Sequence, residues 1–263
     1  MRKLLSSVVL MLGAASAFAA VQGRDVSYSA NGTTLKGYIA YDDALTGKRP
    51  GILVVHEWWG HNEYARKRAR MFAEQGYTAL ALDMYGNGKQ AHHPDDAQKF
   101  SSEVSSNAAL AKARFDAALD LLKQQKTVDA ANIAAVGYCF GGSVALNMAR
   151  AGEPLKAVVS FHGGLGTDHP AQAGVIKARI ASFTGDEDPM IPATQVAAFR
   201  QEMDAAGVTY EAVTYAGAKH AFTNPEADKY GQEFKLPLAY NAAADKASWK
   251  AGLAFLAEAF KAK

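Results

Sequence analysis

The sequence predicts an α/β protein with a mostly parallel central sheet, helices on both faces and a single domain. Three observations predict it. Short, nearly continuous apolar runs recur along the chain, as strands buried on both faces require. Segments of helical spacing alternate with them, the order expected of parallel strands joined by crossover helices. No internal repeat, low-complexity tract or linker divides the chain.

The elements follow in order. Residues 1–19 are set aside as a secretory signal: Met1-Arg2-Lys3 is basic, Leu4 to Phe18 is apolar or small, and Ala17-Phe18-Ala19 is a small-x-small cleavage pattern. The remaining 20–263 form the predicted domain. Asp25 to Tyr41 alternates apolar and polar residues around Asn31-Gly32, a hairpin signal. Gly51 to His56 is a buried strand. Glu63 to Gln75 has helical spacing and stops at Gly76. Tyr77 to Leu82 is the next strand, and Tyr85 to Pro94, with two glycines, is a loop. Asp95 to Lys123 is helical, divisible into two helices. Asn132 to Val136 is a strand and Gly141 to Ala151 a helix of small residues. Leu155–Ser160, Ala178–Phe183 and Thr209–Thr214 are further strands, with helices at Ala193–Ala206 and Asn241–Ala262.

Composition excludes several function classes. Loss of the signal leaves 26 basic and 26 acidic residues, with no concentrated basic run, so nucleic acid and anionic membrane surfaces are poor partners. No segment after the signal is long and apolar enough to cross a bilayer. The expected location is periplasmic or secreted, and the expected assembly a monomer or weak homo-oligomer. Cys139 is the only cysteine, so no intramolecular disulfide forms. Four histidines, His56, His61, His92 and His93, lack metal-ligand spacing, so no metal is expected; the reading needs no cofactor.

The chemistry concentrates at Gly137-Tyr138-Cys139-Phe140-Gly141-Gly142-Ser143, between an apolar strand and a helix. G-x-nucleophile-x-G in that context forms a strained strand-to-helix turn that projects the nucleophile from the sheet edge. The helix N-terminus behind it favours thiolate. Taken singly, the motif is equally a glycine-rich turn with an incidental buried cysteine. Downstream, Gly185-Asp186-Glu187-Asp188-Pro189 follows a strand and offers a carboxylate, Asp188 by spacing and Asp186 as the alternative. Ala218-Lys219-His220-Ala221-Phe222 follows a late strand and offers a base. Nucleophile, acid and base in this chain order match α/β-hydrolases. In that arrangement His220 exchanges protons with Cys139 while Asp188 fixes its tautomer. The oxyanion donors are expected to be the backbone N–H groups of Phe140 and of Trp58, the latter in the loop after the Gly51–His56 strand.

These segments, with His56-Glu57-Trp58-Trp59-Gly60, Asn62, Arg66, Ala81 to Tyr85 and Ser160-Phe161-His162-Gly163, resemble the dienelactone hydrolase (carboxymethylenebutenolidase) family from about Gly51 to Phe260. The resemblance implies an α/β-hydrolase fold and a small-molecule ester or lactone substrate. It also implies a role for Glu57: to take the thiol proton when substrate arrives, keeping the resting cysteine neutral and hard to oxidise. The family's two carboxylate-binding arginines would fall near Asn87 and Asn224. Neither is basic, although Lys89 is close, so the family's anionic substrate does not carry over with the reaction type. Trp58, Trp59, Tyr85 and Phe222 suggest an aromatic substrate pocket. An acyl acceptor other than water, giving a transferase, or a non-catalytic ligand-binding protein on the same scaffold are the competing readings.

Overall fold

Asn31 and Gly32 both take positive φ, 47° and 77°, which the tightest hairpin turns require. They join β1 (Val21–Ala30) to β2 (Thr33–Asp42) in antiparallel register from Ala30↔Thr33 to Val21↔Asp42. The computed structural model describes residues 21–262, so the expected signal segment lies outside the described residues. Next come β3 (Arg49–Val55) and β4 (Thr78–Leu82), whose residues are almost all buried, as their unbroken apolar character requires. Then follow β5 (Val128–Tyr138), β6 (Ala157–Phe161), β7 (Arg179–Gly185) and β8 (Tyr210–Tyr215).

The sheet order is β1-β2-β4-β3-β5-β6-β7-β8; β2 pairs antiparallel with β4, and every pair from β4 to β8 is parallel. This is the predicted class. The β5 strand starts at Val128, four residues before the expected Asn132, and a register shift between Pro50 and Gly51 absorbs the irregular start.

Helices cover both faces. Alternation along β3 sends Leu53 and Val55 to one side and Ile52 and Val54 to the other. The first side meets α3 (Ala108–Lys123), α4 (Phe140–Arg150) and α5 (Ala193–Ala205) through Phe115, Leu119, Leu146 and Phe199. The second meets α1 (Glu63–Glu74) and α7 (Ala242–Lys261) through Phe72, Phe255 and Leu256. The expected span Asp95–Lys123 divides into α2 (Pro94–Ser105) and α3, because Asn107 accepts the Leu110 N–H and caps the second helix. A short helix not anticipated from sequence, α6 (Ala227–Phe234), lies between β8 and α7. It has only one buried residue, Ala227, too little for a periodic signal.

The parallel strands all end on one edge. The loops leaving β3, β4, β5, β6, β7 and β8 there carry Glu57, Tyr85, Cys139, His162, Asp188 and His220.

Candidate active site

The elbow is built by close backbone approach. A Cβ on Gly137 would overlap the Gly141 carbonyl, and one on Gly141 the Val55 carbonyl, so glycine is obligatory at both. Between them Cys139 takes φ 53° and ψ −120°, a strained conformation for a side-chain-bearing residue, directly before the first turn of α4. Its half-buried sulfur is thus held at the helix N-terminus.

The expected trio converges. His220 Nε2 lies 3.1 Å from Cys139 Sγ, and His220 Nδ1 lies 2.8 Å from Asp188 Oδ2. Asp188 is buried, and its other oxygen accepts the Met190 N–H at 2.8 Å. The alternative acid, Asp186, is exposed and instead accepts the Gly217 N–H. Burial alone would lower the His220 pKa. The Cys139 sulfur and the Asp188 carboxylate outweigh it and push it up to about 10. That favours a protonated imidazole ring between the two.

Glu57 is 2% exposed. Its Oε2 accepts the Asn224 Nδ2 at 2.6 Å, and its Oε1 has no partner among the described residues. Burial pushes its pKa up to about 7, against partial offsets from Asn224, His220 and Arg68. Neither oxygen is bonded to Cys139, whose sulfur faces His220 instead. Asn224, where the resemblance set a substrate-binding arginine, is buried and serves as the Glu57 partner. Asn87 stands in an exposed turn at φ 56° and gives its N–H to Thr34.

The aromatic residues divide. Trp58 alone among the four keeps accessible surface beyond the buried range. Phe222 is 0% exposed, packed against His162 and Tyr215, so it is a core residue rather than a pocket wall. Tyr85 is buried with its hydroxyl donated to the Trp58 carbonyl at 2.8 Å. Trp59 is buried under α6, stacked on Tyr230 at 4.4 Å and tilted against Phe234 at 6.1 Å. The short helix thus closes over one wall of the site. The expected oxyanion donors stand clear: neither the Trp58 N–H nor the Phe140 N–H donates to a group among the described residues.

Sequence reasoning missed a buried polar chain behind the elbow. His162, at φ 41°, accepts the Cys139 N–H on Nδ1 at 3.1 Å, a donor shared with Phe161 O. Its Nε2 then carries the proton and donates to Thr223 Oγ1 at 2.7 Å. Thr223 Oγ1 is also bonded to the Tyr64 hydroxyl at 2.6 Å, and Arg68 Nε donates to that hydroxyl at 3.1 Å. Arg68 Nη2 also donates to Thr223 O and Asp245 Oδ1, at 2.5 and 2.7 Å. Burial first, then the nearby His220 and Arg68 charges, hold His162 well below the ordinary histidine pKa, so its ring stays neutral. The Ser160-Phe161-His162-Gly163 segment, part of the resemblance given above, was the sequence signal for His162, but it carried no hint of these partners.

The chain matches the model of the Dienelactone hydrolase family over residues 35–260. It is 31% identical over 209 residues to the protein called usf of Aquifex pyrophilus, covering 77% of this chain and 87% of that protein. Among solved structures, it superposes with a TM-score of 0.84 on a dienelactone hydrolase-like promiscuous phosphotriesterase, P91, from metagenomic libraries; the two are 34% identical, and the match covers 92% of this chain and 99% of that one. A second structure, named m3DLH, gives a TM-score of 0.86 at 36% identity, with the same shares covered.

Proposed function

Since the chain belongs to the dienelactone hydrolase family, we propose that it hydrolyses a neutral ester or lactone through a thioester on Cys139. The observation that carries this reading is the continuous hydrogen-bonded line from Cys139 Sγ through His220 to Asp188. The thiolate attacks the substrate carbonyl, and the resulting oxyanion is held by backbone N–H groups, each worth about 3 kcal/mol of barrier lowering. The His220 imidazolium then protonates the departing alkoxide. In the second half His220 takes a proton from water, which attacks the thioester and releases acid and thiolate. Glu57 is poised to exchange a proton near neutral pH, as a carboxyl with a pKa of about 7 should.

The two asparagines support a neutral substrate. Asn224 is committed to Glu57, and Asn87 offers no charge to a carboxylate. The test is turnover of short-chain aryl esters, an uncharged lactone, a dienelactone and a neutral phosphotriester, beside Cys139→Ala. Cleavage of the uncharged esters that vanishes in Cys139→Ala is expected. Equal activity in both proteins removes the thioester reading, and a marked preference for the dienelactone removes the neutral-substrate reading.

The reading includes export to the periplasm or medium, supported by the basic start, apolar run and Ala17-Phe18-Ala19 pattern. Mass measurement of the exported protein is expected to give a chain starting at residue 20. An intact Met1 start on the exported protein rules cleavage out.

A further inference from the structure

Two peptide groups around Trp58 are gripped by buried side chains that play no part in the chemistry above. The Glu57 carbonyl accepts His56 Nδ1–H at 2.5 Å and the Gly60 N–H at 3.1 Å. The Trp58 carbonyl accepts the Tyr85 hydroxyl at 2.8 Å. In a trans peptide the N–H points opposite to the preceding carbonyl. With the Glu57 carbonyl turned into the His56 ring, the Trp58 N–H is turned away from it.

His56 is fixed in its turn. Its Nε2 accepts the Met84 N–H at 3.2 Å, so the proton must sit on Nδ1, the atom facing Glu57. The ring is fully buried, and burial lowers its pKa, keeping that tautomer uncharged. The same ring stacks on Phe140 at 5.8 Å and meets Tyr85 edge-on at 4.7 Å, while Tyr85 and Phe140 are 5.5 Å apart. Three mutually packed rings therefore touch both segments whose N–H groups have no partner among the described residues. The start of α4 also presses on the end of β3, where Gly141 lies against the Val55 and His56 carbonyls.

We infer that His56 and Tyr85 are positioning residues that fix the Trp58 and Phe140 N–H groups as a preformed oxyanion site. The inference rests on the acyl-transfer reading above. A site whose donors are locked before substrate arrives costs no reorganisation as charge develops, which is where such donors gain their effect. The two side chains act on the transition state through the backbone, so their loss should spare both substrate binding and thiolate formation.

The test uses Tyr85→Phe in the full chain, which keeps the ring and its packing. Three quantities are measured: steady-state turnover of an aryl ester, inhibition by an aldehyde that forms a tetrahedral adduct with the thiol, and alkylation of Cys139 by iodoacetamide, which develops no oxyanion. We expect kcat to fall about 10- to 100-fold, aldehyde affinity to fall by a similar factor, and KM and alkylation rate to hold within about twofold. Unchanged kcat overturns the inference. So does an alkylation rate that falls in step with kcat, which would assign Tyr85 to the thiol instead. His56→Gln, whose amide keeps one donor and one acceptor, should lose less than His56→Leu; equal losses also count against the inference. Turnover retained in Cys139→Ala would instead bring down the thioester reading itself.

Discussion

Glu57 is a buried carboxyl group, with one amide donor on one oxygen and no partner on the other among the described residues. Burial raises its pKa from 4.5 to about 7, and that shift couples directly to stability. Below pH 4.5 the group is protonated in both folded and unfolded chains and costs nothing. As pH rises towards 7 the unfolded chain ionises first, so the native state loses about 3 kcal/mol, and the loss is complete above pH 7. Glu57→Gln keeps the Asn224 bond and removes the ionisation. It should therefore melt about 5–10 °C above the parent at pH 8 and close to it at pH 4.5; equal differences at the two pH values would show that ionisation is not the cause. Cys139, Asp188 and His220, which lie within hydrogen-bond reach of one another, were legible in the sequence because each sits in a short motif of fixed spacing. Asn224 was legible only as a missing arginine, because its partner Glu57 is 167 positions away. His162 lay within a recognised motif, but its bond to Thr223 spans 61 positions, and nothing local announces such a pairing.

At the scale of elements, the strand β5, the elbow and α4 form one unit whose shape depends on two glycines. Gly141→Ala places a methyl group against the Val55 and His56 carbonyls, backbone atoms that cannot move aside without displacing β3. The expected result is a loss of more than about 3 kcal/mol in urea unfolding and of nearly all esterase activity. A variant with near-parental stability would show that the elbow is looser than this geometry. This unit was readable because strand, turn and helix are contiguous and their chemistry is local. The eight-stranded order was readable only as a class: β3 lies between β4 and β5, an arrangement set by burial on both faces rather than by any one segment. The α6 helix escaped detection because it is short and covers Trp59 with Tyr230 and Phe234 rather than with a continuous apolar stripe.

At the scale of the whole molecule, Arg68 ties α1 and α7 to the site. From α1 it reaches Asp245 on α7 and Thr223 in the His220 loop, with its guanidinium 5.2 Å from the ring centres of Tyr64 and Tyr138 and 5.5 Å from that of Trp249. Asp245→Ala leaves that buried cation without its carboxylate and should cost about 3 kcal/mol in urea unfolding, with a lowered kcat. Adding Arg68→Met should recover part of the stability but not the activity; an additive loss in the double variant would show that the pair is not coupled. The same connection orders events in time. The hydrogen bonds that reach the Cys139 N–H pass through His162, Thr223 and Arg68 to Asp245 on the last described helix. Until α7 docks, Arg68 lacks its carboxylate, so the buried chain behind the elbow is completed only by the last described helix.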